Sequence, residues 1–118
     1  MAVTTTGSPP SFFKGEYWKF VVVITKDGAS PDISSDVVTA TVKNPRSESD
    51  AAADMQFDAD VATSGATGTA IFERSAVQTG VLDAQVYHMD IWWYPTDDED
   101  HPLYNGDVRV KARVSYVP

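Results

Sequence analysis

His88 and Asp90 stand at i, i+2, so on an extended strand both side chains leave by the same face, a spacing that could seed a metal site or an acid–base pair. No third ligand type falls at useful spacing, and the expected cross-strand neighbours are cations, which repel metal ions. A surface ion-pair ladder accounts for the pair better. Asp97-Asp98-Glu99-Asp100 is oxygen-rich, as hard cations require, but it lacks the Asp-x-Asp-x-Asp-Gly order of a calcium loop. Four consecutive acids point in different directions, and a solvated hairpin tip is expected. No Gly-x-Ser-x-Gly elbow, phosphate loop, dinucleotide glycine fingerprint or His-Glu-x-x-His occurs. With two histidines and no cysteine, the expectation is a non-enzymatic protein with no catalytic residue, no metal and no cofactor.

One further residue could do chemistry of a different kind. Trp93 shares parity with Tyr87, Met89 and Ile91 and belongs to the core, so Trp92 and Tyr94 must point the other way. Two readings stand for Trp92. Its indole lies over the stems of Arg109 and Lys111 or under another loop, or it is an aromatic anchor for a partner protein.

These residues sit on elements that the alternation of side chains defines. Gln85–Tyr94 leads into the acidic loop Pro95–Asp100, and Gly106–Tyr116 returns with Val108, Val110, Ala112 and Val114 on one face. Arg109, Lys111 and Arg113 occupy the other, the pattern of a half-buried antiparallel strand. Pairing Asp90 with Lys111 places Trp92 opposite Arg109 and His88 opposite Arg113. The outer face so built, Asp90, Trp92, Tyr94, Arg109, Lys111 and Arg113, is the candidate protein-contact surface.

Upstream, Glu16–Lys26 alternates with Trp18, Phe20, Val22 and Ile24 on one face, and Asp27-Gly28 is a turn dipeptide. Asp36–Lys43 and Met55–Thr63 alternate again, joined by the polar connection Asn44–Asp54, whose alanine triplet is too short for a stable helix. Ser64–Gly68 is a turn and Thr69–Glu73 a short strand. Ser75 can cap a single helical turn ending at Gly80. Strands at this spacing with no long helix predict an all-β fold of about 6–8 strands: a flexible arm over 1–11, then one sandwich domain over 12–118.

Charge and length bound the partners. Nine basic against seventeen acidic residues give a net charge of −8 over 118 residues, which disfavours nucleic acid. The N-terminal segment has neither the basic nor the apolar region of a signal peptide, and Phe20–Ile24 is too short to span a bilayer. No membrane association is expected.

The order of several short motifs carries a resemblance. Lys14-Gly15-Glu16-Tyr17-Trp18 precedes the first strand and Lys26-Asp27-Gly28-Ala29-Ser30-Pro31-Asp32-Ile33-Ser34 follows it. Then come Val38–Lys43, Gly68-Thr69-Ala70-Ile71-Phe72, Val86–Ile91 and Pro102-Leu103-Tyr104-Asn105-Gly106-Asp107-Val108-Arg109-Val110. Over residues 14–116 this order resembles the N-terminal domain of the baseplate upper protein family of tailed bacteriophages, and many stand-alone phage virion proteins. The resemblance implies an immunoglobulin-like antiparallel β-sandwich serving as a virion building block, a homo-oligomer in contact with other virion proteins. In that family the domain precedes a helical linker and a fibre, neither of which this sequence shows before Pro118. The expectation is therefore a small accessory protein of tail, baseplate or capsid, assembled in the host cytoplasm. A carbohydrate- or host-receptor-binding module built on Trp92 and Tyr94 is the alternative.

Overall fold

The computed structural model describes residues 3–7, 9–44, 54–96 and 99–112. Arg113 with the expected end of the last strand, the Ala51–Ala53 triplet, Asp97 and Asp98 lie outside the described residues. Among the described residues eight strands form an all-β sandwich: β1 (Val3–Thr6), β2 (Phe12–Phe13), β3 (Trp18–Lys26), β4 (Val37–Lys43), β5 (Met55–Asp58), β6 (Thr69–Arg74), β7 (Val86–Tyr94) and β8 (His101–Lys111). One sheet has the order β1-β3-β6 and the other β2-β8-β7-β4-β5. All pairings are antiparallel except the two-residue β2, which runs parallel to β8.

Alternation puts the apolar side chains between the sheets. Trp18, Phe20, Val22 and Ile24 of β3 are buried, as are Ala70 and Phe72 of β6. They face Val38, Ala40 and Val42 of β4, Tyr87, Met89, Ile91 and Trp93 of β7, and Val108 and Val110 of β8. Aromatic rings organise the lower half of this layer. Phe12 stacks on Trp18 at 4.2 Å and Phe20 on Phe72 at 4.9 Å, while Phe57 meets Phe72 edge-on at 5.7 Å. The Arg74 guanidinium lies 4.3 Å over the Phe57 ring, where burial pulls its pKa down from the usual arginine value.

The connections follow from local chemistry. Lys26 and Ala29 exchange both backbone hydrogen bonds around Asp27 (φ 53°) and Gly28 (φ 80°), the two positive φ angles of a tight hairpin turn. The Ser75 hydroxyl accepts from the Gln78 amide and the Gln78 side chain accepts from Ser75 N–H, a reciprocal cap that starts the single turn α1 (Ala76–Thr79).

Four residues of the segment expected to be a flexible arm form a strand. Val3–Thr6 pairs with Thr25 and its neighbours as the edge strand β1, and the Thr5 hydroxyl donates to Leu103 O of β8 at 3.2 Å. The three consecutive threonines, Thr4, Thr5 and Thr6, fill the free edge of β3, which composition alone does not reveal. On the opposite side, Asp60 and Ile71 exchange backbone hydrogen bonds and tie the chain after β5 to β6. The sandwich is thus stitched along both margins.

Candidate contact surface

The five-stranded sheet presents one face to the core and one outward. The outward residues of β7 are Val86, His88, Asp90, Trp92 and Tyr94, and pairing sets them in rows across the sheet. Tyr94 lies beside Val37. Trp92 lies between Thr39 and Pro102, Asp90 between Thr41 and Asn105, and His88 between Lys43 and Asp107. Val86 lies beside Arg109.

This register corrects the expected one. Asp90 faces Asn105 rather than Lys111, Trp92 faces Pro102 rather than Arg109, and His88 faces Asp107 rather than Arg113. The returning strand starts at His101, well before Gly106. A bulge at Ile91/Trp92 makes room for Pro102, which has no N–H to give to a ladder and is tolerated at such irregularities. The candidate contact surface therefore divides. Asp90, Trp92 and Tyr94 occupy one end, while Arg109 lies about 20 Å from Trp92 at ~3.3 Å per residue and Lys111 lies farther still. The aliphatic stems of Arg109 and Lys111 cannot cover Trp92. Lys111 instead places its ammonium 4.6 Å over the Phe13 ring.

At the Trp92 end the indole is half-buried, and Val37 and Tyr94 are exposed by 46% and 37%. Carboxylates flank this apolar strip. Asp58 accepts from the Thr39 hydroxyl at 2.7 Å. Beneath the strip, Asp36 accepts from Trp93 Nε1 at 3.0 Å and from the Thr96 amide at 3.3 Å, which fixes the end of β7 and the entry to the acidic loop. Gln56 donates to the Thr41 hydroxyl at 3.0 Å and so satisfies a threonine that is only 5% exposed.

His88 and Asp90 do share a face, but they serve different rows. His88 Nδ1 stands 3.8 Å from Asp107 Oδ1, too long for a hydrogen bond, and the atom is buried with no hydrogen-bond partner among the described residues. An open cleft of about 220 Å³ lies there, lined by Lys43, Asn44, Val86, Tyr87, His88 and Asp107. Among the described residues no three His, Asp or Glu side chains converge on a common point. Thr39 and Pro102 are the neighbours of Trp92 that sequence reasoning missed. Finding them requires the β4–β7 and β7–β8 registers, for which the strand sequences carry no local signal.

No protein-family model matches the chain, and no curated protein matches it. Solved structures do. An endo-beta-1,4-mannanase from Thermotoga petrophila superposes with a TM-score of 0.58 at 7% identity, over 96% of this chain and 20% of that one. A polysaccharide deacetylase from Bacillus cereus gives a TM-score of 0.49 at 11% identity, over 92% of this chain and 30% of that one. This chain thus spans about a fifth of the mannanase, and the likeness to it is one of fold.

Proposed function

We propose that this chain is a non-enzymatic virion structural protein of a tailed bacteriophage, acting in particle assembly through protein–protein contacts. The observation that carries the contact role is the apolar strip Trp92–Tyr94–Val37–Pro102 on the outer face of a rigid sheet. An aromatic anchor at the centre of such a strip, ringed by polar groups, is the composition of an interface hot spot. The motif order over residues 14–116 supports the virion setting. Mass spectrometry of purified particles tests the reading: the protein co-purifies with virions, and Trp92→Ala lowers its incorporation while thermal stability is kept. Absence of the wild-type chain from particles overturns it.

One observation favours a second reading. Trp92 and Tyr94 stand beside the carboxylates Asp58 and Asp90, and ring faces next to hydrogen-bonding acids suit the apolar faces and hydroxyls of a sugar. Binding on a glycan array that Trp92→Ala abolishes supports this carbohydrate- or receptor-binding alternative, and a flat array removes it.

A further inference from the structure

The net charge of −8 is not spread evenly over the sandwich. Register and cross-links bring residues 26–39, 58–68 and 90–105 to one half. Val37 and Thr39 pair with Tyr94 and Trp92, Asp58 with Thr39, and Ile33 N donates to Gly65 O at 2.8 Å. Pro102 and Asn105 complete this half beside Trp92 and Asp90. Among the described residues these segments carry eight carboxylates, and Lys26 is the one lysine or arginine. Its ammonium stands 5.9 Å from the ring of buried Trp93, on the core side of β7, so it does not share the outer face with Trp92. The other described residues hold six lysines and arginines against five carboxylates, close to balance. The excess negative charge therefore belongs to the half that bears the Trp92 strip.

On the outer face this charge borders aromatic rings. Asp58, Thr39, Trp92 and Pro102 form one row across β5, β4, β7 and β8, with Asp90 two residues before Trp92 and Tyr94 two residues after it. At about 4.8 Å between strands and ~3.3 Å per residue, the Asp58 and Asp90 backbones stand about 10 and about 7 Å from that of Trp92. Neither carboxylate has an ion-pair partner among the described residues; Asp58 accepts from the Thr39 hydroxyl. The nearest described lysine or arginine on this face is Lys43, in the His88 row about 13 Å from Trp92. Aromatic rings attract cations through their quadrupoles, and carboxylates without a cation beside them add Coulomb attraction. A neutral sugar gains from the rings but not from the net charge, whereas a cation gains from both. A planar guanidinium suits the place best, because it stacks on an indole, turns its N–H groups to carboxylates and lays an aliphatic stem over apolar neighbours such as Pro102 and Val37.

We propose that the Trp92 strip takes an arginine-bearing segment of a different protein, with a guanidinium seated on Trp92 and Tyr94 between Asp58 and Asp90. The inference rests on the assembly reading above and names the chemistry of the partner, basic where this chain is acidic. Two copies of this half repel each other, and the near-balanced opposite half offers no matching excess of cations, so the occupant is not this chain itself.

Calorimetric titration with a defined probe tests it: the end-blocked peptide Gly-Arg-Leu-Arg-Gly-Arg-Leu-Arg-Gly and its citrulline counterpart, in which each guanidinium becomes a neutral urea. The arginine peptide binds at about 50 mM NaCl, and at about 500 mM its affinity falls about tenfold. The citrulline peptide binds about tenfold more weakly than the arginine one. Trp92→Ala and Asp58→Asn/Asp90→Asn each lower the affinity about fivefold, whereas Asp83→Asn, on an exposed side chain in the other half, changes it by less than about twofold. Asparagine keeps the shape of aspartate and an acceptor for Thr39, and unchanged circular dichroism confirms that each variant folds. No binding of the arginine peptide, equal binding of the citrulline form, or an affinity that Asp58→Asn/Asp90→Asn leaves unchanged overturns the proposal. So does glycan-array binding that is lost in Trp92→Ala and kept in Asp58→Asn/Asp90→Asn, which would assign the strip to a sugar. Particles that incorporate Asp58→Asn/Asp90→Asn as well as wild type overturn the cationic partner and leave the assembly reading. Charge-dependent peptide binding by a chain absent from particles supports the cation seat and removes the virion role.

Discussion

The division of the candidate surface depends on the β7–β8 register, and that register can be locked chemically. The chain has no cysteine, so two introduced thiols can pair only with each other within one molecule. Val110 N donates to Gln85 O at 2.9 Å, which makes that pair hydrogen-bonded; by alternation Asp90 and Asn105 form a non-hydrogen-bonded pair, the kind with the closest side chains. Their Cα atoms are then about 4.5 Å apart, within the range a disulfide bridges. Asp90→Cys/Asn105→Cys is therefore expected to oxidise within the monomer. The bond closes a loop of about 16 residues, for which the chain-entropy model gives about 3 kcal/mol of stabilisation, less any strain. For a domain of 118 residues the unfolding entropy converts this to a rise of about 10 °C in Tm. Free-thiol titration and thermal melts with and without reductant are the assays. The control is Asp90→Cys/Lys111→Cys: those positions lie six residues out of register, so that variant keeps two free thiols and its Tm ignores reductant. Intramolecular oxidation of the control, or failure of the Asn105 pair to oxidise, refutes the register and returns Arg109 and Lys111 to the neighbourhood of Trp92.

Other perturbations probe the framework, each by the shift in Tm or denaturant midpoint. Phe72→Ala removes a fully buried ring stacked on Phe20 and met edge-on by Phe57, and costs about 3–5 kcal/mol. Gly68 has φ 78° and an added Cβ would stand 2.6 Å from Ile24 O, so Gly68→Ala costs about 2–4 kcal/mol through strain and backbone displacement. Ser75→Ala loses the reciprocal cap and costs about 1 kcal/mol, loosening the turn that holds Val77 and Val81. The Thr63 hydroxyl and amide hold the Asp60 carboxyl below the usual carboxylate range. A depressed folded-state pKa adds stability that is complete above the unfolded carboxylate value and is lost as pH falls through the folded one. The acid side of a Tm-against-pH curve is therefore steeper for wild type than for Asp60→Asn, and equal slopes would count against the turn geometry.

Sidedness was legible in the sequence because alternation is a local property. Trp18 to Ile24, Val38 to Val42 and Val108 to Val110 need only a period of two to place them inside, and all are buried. The turns were legible for a similar reason, since Asp27-Gly28 and Ser75 to Gln78 carry their own chemistry. Register was not. It is a non-local quantity, and parity arguments fix only whether a slip is odd or even. The observed pairing of Asp90 with Asn105 keeps the parity of the expected pairing with Lys111, yet exchanges every partner on the outer face. His101–Asn105 hid its strand because Pro102 and Asn105 are poor strand formers, and the bulge at Trp92 accommodates the proline. Likewise the Thr-rich Val3–Thr6 becomes a strand because β3 has an edge to fill, not because its own propensity demands it.

The same non-locality decides how the outer surface is to be read. Had Trp92 faced Arg109, the indole would have had a cation stem for cover, and its position would have called for no partner. With Thr39 and Pro102 as neighbours it gains apolar company and no cation, and Val37 and Tyr94 extend the strip toward the turn end. Of the basic residues displaced from Trp92, Arg109 pairs with Val86 and Lys111 lies over the Phe13 ring. One correction in register thus parts a single mixed patch into an apolar strip set among carboxylates and, at the far end of the same sheet, the basic residues of β8. A mixed patch pairs most simply with itself about a two-fold axis, whereas an apolar strip set among carboxylates repels a copy of itself and favours a different surface. The register therefore bears directly on the symmetry of any assembly this chain forms.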